Sequence, residues 1–108
     1  MSSKSKFVTH KSEGLVTIAC EGELSLYVAP ELRSLLADAV ASGDEIAVDL
    51  TRALFIDSAI LMALVAVGRD LPSVGRKLKV VVSDNSHPQY VLKVSGMNEL
   101  FDVIVAQE

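Results

Sequence analysis

Within the apolar run LFIDSAILMAL, residues 54–64, an acid and a hydroxyl stand side by side: Asp57 and Ser58. Neither suits a buried strand or a buried helix, so the pair needs a role. Such a serine can take a phosphoryl group, such an aspartate can become a phosphoaspartate, and both can join a histidine in hydrolysis. A phosphoaspartate receiver also needs a second acidic cluster for Mg²⁺ and a downstream lysine. Asp49 and Lys79 are present, but no acidic pair ends the first strand. Ser-His-Asp hydrolysis lacks its G-x-S-x-G elbow. His10 and His87 are far apart with no cysteine nearby, which points away from a metal site. His87, just before Pro88, reads as an exposed or capping residue. EGE at 21–23 and the isolated glycines build no phosphate loop. With no catalytic apparatus and no cofactor site in view, the chain reads as a non-enzyme.

The 108 residues are one domain's worth, half of them hydrophobic and 22% charged, a globular balance. No tryptophan is present and aromatics are few, so Val, Leu, Ile and Ala must fill the interior. A net charge of −4 with scattered Lys and Arg offers no stripe for phosphate backbones, against nucleic-acid binding. Cys20, the single cysteine, sits in VTIAC and reads as a small buried hydrophobe. The start MSSKSK lacks the apolar segment of a secretory signal. The longest apolar run, Ala59 to Val67, falls well short of the ~20 residues that cross a bilayer. A cytoplasmic protein without membrane insertion is expected.

The elements that must position the pair follow from pattern. KFVTH and GLVTIACEGEL are β-prone and joined by KSEG, a hairpin turn. APELRSLLADAVASG reads as a helix: Pro30 suits its first position, Glu31 its positive end and Gly43 its stop. Its core stripe is Leu32, Leu35, Leu36, Ala39 and Val40. EIAVDL is a short strand, and a second helix runs to about Leu71, ended by Pro72 and Gly75. KLKVVV is a strand, Ser86 and Pro88 open a third helix closed by Gly96, and FDVIV is the last strand. The order ββαβαβαβ predicts an α/β domain: a mixed sheet, an N-terminal hairpin extending parallel strands, with helices packed on it.

The pair therefore falls where a strand-like run gives way to a helix. Asp57 or Ser58 is a natural N-cap there. The same helix start is a ready anion site, so a phosphate on Ser58 would be held without a dedicated basic residue. Behind it the helix is apolar nearly all round: Ile60, Leu61, Met62, Leu64, Val65 and Val67. One sheet face buries one stripe, so the excess, Ile60 and Met62, is expected to lie beside the cap as an exposed apolar patch.

Three stretches, EGELSLYVAPELRSLL, IAVDLTRALFIDSAIL and VLKVSGMNELFDVI, follow in order and spacing those of the STAS domain. The chain resembles stand-alone bacterial anti-sigma factor antagonists of that family. The likeness runs from about Phe7 to Val105, and implies a STAS domain over residues 7–108 behind a flexible N-terminus, residues 1–6. It also implies partner switching. The serine after the aspartate, here Ser58, is phosphorylated by an anti-sigma factor that is an ATP-dependent serine kinase. The unphosphorylated antagonist binds that factor and frees the sigma factor for transcription; a PP2C-type phosphatase restores the modified form. On this resemblance Ser25, Tyr27, Asp57, Ser58, Ala59, Ile60 and Met62 form the partner surface. Tyr27 has a compatible second reading, as a cover over the core where the chain enters its first helix. Three positions depart from the family pattern. Ile60 replaces the usual glycine and would put bulk where a partner's backbone approaches, Met62 replaces a small residue, and Ser25 a frequent aspartate. The alternative is a STAS-like subunit of a lipid-transport ABC system, which binds a cytoplasmic ATPase without phosphorylation.

Overall fold

The computed structural model describes residues 4–106. Residues 1–3 of the expected mobile leader lie outside the described residues, and Lys6 already begins the first strand.

Strands β1 (Lys6–Ser12) and β2 (Leu15–Leu24) form the expected hairpin, with Phe7 opposite Cys20 and Ser12 opposite Leu15. Its two turn residues, Glu13 and Gly14, both have positive φ, as a tight two-residue hairpin requires. Helix α1 (Ala29–Ser42) begins with Pro30 in its first turn and ends on Gly43, whose left-handed φ of 80° no other residue adopts as cheaply. Then come β3 (Glu45–Ile56), α2 (Ser58–Asp70), β4 (Lys79–Ser83), α3 (His87–Val94) and β5 (Asp102–Ala106). Short 3₁₀ turns follow α2 at Leu71–Val74 and α3 at Met97–Leu100.

The sheet order is β1-β2-β3-β4-β5, antiparallel at the hairpin and parallel elsewhere, which is the mixed sheet expected. Crossovers of one hand that step in one direction deposit their helices on one face. Burial agrees: Val16, Ile18 and Leu24 of β2, Ile46, Val48 and Leu50 of β3, and Val80 and Val82 of β4 are enclosed with Leu32, Leu36, Leu64 and Leu92 of the helices. Cys20 lies in this core as a free thiol, as expected.

Strand β3 is longer than its sequence advertises. It runs six residues past Leu50, to Ile56, against β2 throughout. Two register shifts, between Ala19 and Glu21 and between Gly22 and Glu23 of β2, absorb the extra residues of β3. Each shift flips the inside–outside alternation, so Leu50, Ala53 and Ile56 all face the core at odd spacings. Gly22 lies at the second shift with φ +93°, and a Cβ there would collide with the Lys4 carbonyl.

Beyond Asp49, β3 no longer pairs with β4. Side chains hold its free edge instead: at the end of β4 the Ser83 hydroxyl donates to the Thr51 carbonyl at 3.2 Å, and at the start of α3 His87 Nδ1 accepts from the Ile56 N–H at 3.1 Å. The acid–hydroxyl pair thus emerges at the open end of the longest strand.

Candidate functional site

At that end the backbone turns from β3 into α2 through Asp57, whose φ of −101° and ψ of −176° are extended. Asp57 is the N-cap: its Oδ1 accepts from the Ile60 N–H at 3.1 Å. Ser58 is the first helical residue and is exposed. Of the two caps open to sequence reading, the structure takes the aspartate. The remaining carboxylate oxygen, Oδ2, accepts from the Leu26 N–H at 2.8 Å. One carboxylate therefore holds the start of α2 and the loop between β2 and α1.

That loop is a turn in its own right. The Val28 N–H donates to the Ser25 carbonyl at 3.0 Å, and the Tyr27 N–H reaches the Ser25 hydroxyl at 3.4 Å. Its root is fixed by the Asp57 N–H, which donates to the Leu24 carbonyl at 3.2 Å. Leu26 is 58% exposed and Tyr27 85%, so Tyr27 is no cover over the core. Met62, one turn beyond Ser58 on the same helix face, is 51% exposed. Leu54, three residues before the cap, is exposed as well. A cleft of about 560 Å³ runs beside the loop, lined by Ser25, Tyr27 and Phe55 among others.

Of the residues expected on the partner surface, the fold brings together Ser25, Tyr27, Asp57, Ser58, Ala59 and Met62. Ile60 is the correction. Its side chain is 0% exposed and belongs to the core cluster, so it neither extends the apolar patch nor stands in a partner's path. The reason is packing on more than one side. Besides the sheet, α2 contacts α1, and near its far end Gly68 presses on the ring of buried Phe101.

Sequence reasoning missed Leu26, Leu54 and His87. Leu26 carried a signal, an apolar residue between Ser25 and Tyr27 just before a helix start. Leu54 carried none, because the register shifts that turn it outward are invisible in the alternation. His87 was read as exposed or capping; it is exposed, its ring packs edge-on to Phe55, and its Nδ1 accepts from β3.

Among the described residues no group of three or more His, Cys, Asp or Glu side chains could hold a metal, and no helix is long and apolar enough to cross a membrane. What the site offers is an exposed hydroxyl at a helix start, among exposed apolar side chains. A family profile described as Mlab, STAS domain matches residues 8–105. The chain belongs to the STAS domain family. Comparison with curated proteins by sequence returns no match.

Solved structures share this STAS fold. An anti-sigma factor antagonist from Mycobacterium paratuberculosis aligns with a TM-score of 0.87 at 19% identity, over 98% of this chain and 92% of that one. The unphosphorylated anti-sigma factor antagonist SpoIIAA gives 0.79 at 21% identity, over 95% and 90%. Phosphorylated SpoIIAA, described as a Bacillus cell fate determinant, gives 0.69 at 23%, over 95% and 93%. At these identities the likeness establishes the fold.

Proposed function

We propose that this STAS domain is an anti-sigma factor antagonist switched by phosphate on Ser58. The unmodified form binds an anti-sigma factor that is also an ATP-dependent serine kinase, and so releases a sigma factor for transcription. The phosphorylated form lets go, and a PP2C-type phosphatase resets it. The domain is a ligand and a substrate in this cycle, working in the cytoplasm.

The observation that carries the reading is the exposure of Ser58 at the first position of α2, with Asp57 already doing the capping. A phosphate there adds close to two negative charges at the positive end of a helix dipole, which limits the cost to the fold. The partner feels it differently. A surface that covers Leu26, Tyr27 and Met62 must also desolvate the dianion, at a cost of several kcal/mol, and each ~1.4 kcal/mol is tenfold in affinity. The ATPase-binding alternative drew on the altered stretch DSAILMAL; Ile60 lies in the core and lends it no support, which leaves Met62 as the one large exposed departure in that stretch.

The test is incubation with the candidate anti-sigma kinase and ATP, with mass spectrometry to locate any phosphate, and Ser58→Ala as control. Calorimetric titration then compares the variants. Ser58→Ala should bind and resist modification, whereas Ser58→Asp should bind at least about tenfold more weakly at an unchanged melting temperature. Equal binding by wild type and Ser58→Asp, or binding to a lipid-transport ATPase with no phosphate accepted from any such kinase, overturns the proposal.

A further inference from the structure

We infer that Asp57 is a positioning residue that transmits charge at Ser58 to the loop carrying Leu26 and Tyr27, so that phosphorylation withdraws an apolar contact as well as adding charge. The inference rests on the switch reading above.

The two oxygens of Asp57 serve different segments. Oδ1 takes a first-turn N–H of its own helix, and Oδ2 takes the N–H of a residue 31 positions upstream. The bonds inside the loop, from the Tyr27 and Val28 N–H groups to Ser25, shape the turn without tying it to α2. The bond from the Asp57 N–H to Leu24 fixes only the root of the loop. Its tip is addressed by the Oδ2–Leu26 bond, which is exposed. Water is an alternative partner for the Leu26 N–H, so the bond persists only while the carboxylate stays put.

A phosphate on the next residue acts on that carboxylate in two ways. It repels a like charge at close range, and its oxygens accept the N–H groups of the first helical turn. The helix therefore keeps a capped start while Leu26 loses its acceptor. Freed at its tip, the loop no longer presents Leu26 and Tyr27 in one arrangement, and the ordering cost falls on the partner.

The experiment needs neither kinase nor partner. Phosphoserine is installed at position 58 by genetic encoding, in the Asp57 protein and in Asp57→Ser, and exchange of the Leu26 amide is followed by NMR. Serine caps a helix about as well as aspartate but has no second acceptor for Leu26. Asp57→Ser should speed Leu26 exchange by about tenfold, relative to the Leu61 amide, which donates to the Asp57 backbone carbonyl at 3.0 Å in the first turn of α2. Phosphoserine should do the same in the Asp57 protein and add little in Asp57→Ser, the signature of coupling through one group. A Leu26 amide unmoved by phosphoserine, or moved equally in both backgrounds, overturns the inference. Equal acceleration of Leu26 and Leu61 in Asp57→Ser, which would mark a general loosening of α2, overturns it too. Since no partner enters, failure here leaves the switch reading to its own binding test.

Discussion

Trimming Ile60 toward the glycine that the family resemblance leads one to expect separates core from surface. The side chain is wholly enclosed, near the start of α2 among Leu24, Ile56 and Leu64 of the same core cluster. Ile60→Val deletes one methyl group and should cost about 0.5–1.5 kcal/mol, and Ile60→Ala about 2–5 kcal/mol, because a tightly packed interior closes the cavity only in part. Ile60→Gly adds up to about 1 kcal/mol for helix backbone freedom. Against a total stability of order 5–15 kcal/mol, the glycine variant stands close to unfolding. Urea titration followed by circular dichroism gives the series, with the midpoint falling in the order Val, Ala, Gly at a constant slope. Ile60→Ala, titrated against the partner below its unfolding transition, should bind within about threefold of wild type, since each ~1.4 kcal/mol is tenfold and no surface atom has changed. An Ile60→Ala protein as stable as wild type, or one that stays folded and loses its partner, refutes the placement.

Met62 gives the opposite pattern: half-exposed on α2, Met62→Glu should leave the melting temperature within a few degrees and abolish partner binding measurable by calorimetry, since an exposed substitution costs about 0.5 kcal/mol or less of stability. Gly68→Ala reverses a common rule. Alanine usually gains about 1 kcal/mol in a helix interior, but here its Cβ would stand 2.7 Å from the buried Phe101 ring, and overpacking of about 1–3 kcal/mol should lower the melting temperature. Cys20 should resist iodoacetamide at pH 8 in the native protein and react at once in urea, because burial first and Asp49 second push its thiol up to about 12 from 9.0. The sign follows: the fold favours the protonated thiol, so this contribution is intact below pH 9 and is lost as pH rises toward 12, which urea midpoints at rising pH read out.

The order of elements was legible because each crossover helix carries its own punctuation. Pro30 and Gly43 bracket α1, Asp57 and the Pro72–Gly75 turn bracket α2, and Ser86–Pro88 with Gly96 bracket α3. The far half of β3 was not legible. Thr51 and Arg52 look like the end of a strand when alternation is the only guide, and two register shifts hide the inward set of Leu50, Ala53 and Ile56. The burial of Ile60 was hidden for a related reason. An apolar circumference says that a helix has apolar neighbours, not how many. Here α1 and the turn before Phe101 join the sheet as neighbours. Long-range hydrogen bonds left no trace at all: nothing in the letters links Asp57 to Leu26, or His87 to Ile56.

The choice of cap decides what Ser58 is free to do. A serine at the N-cap would spend its oxygen on the N–H groups of the first turn, and modifying it would uncap the helix it serves. With Asp57 in that place, the Ile60 N–H is already satisfied and the hydroxyl of Ser58 is exposed one position further on. A group transferred to it then meets the positive end of the dipole without displacing a structural bond. The stable element and the variable one are thus adjacent residues with separate duties, and α2, buried from Ile60 onward along its inner side, gives both a rigid base. The loop is the softer member: its tip depends on one exposed hydrogen bond to the same carboxylate. On the proposed reading, a change of charge at Ser58 meets a helix that resists it and a loop that does not, and the surface carrying Leu26 and Tyr27 is where its effect must appear.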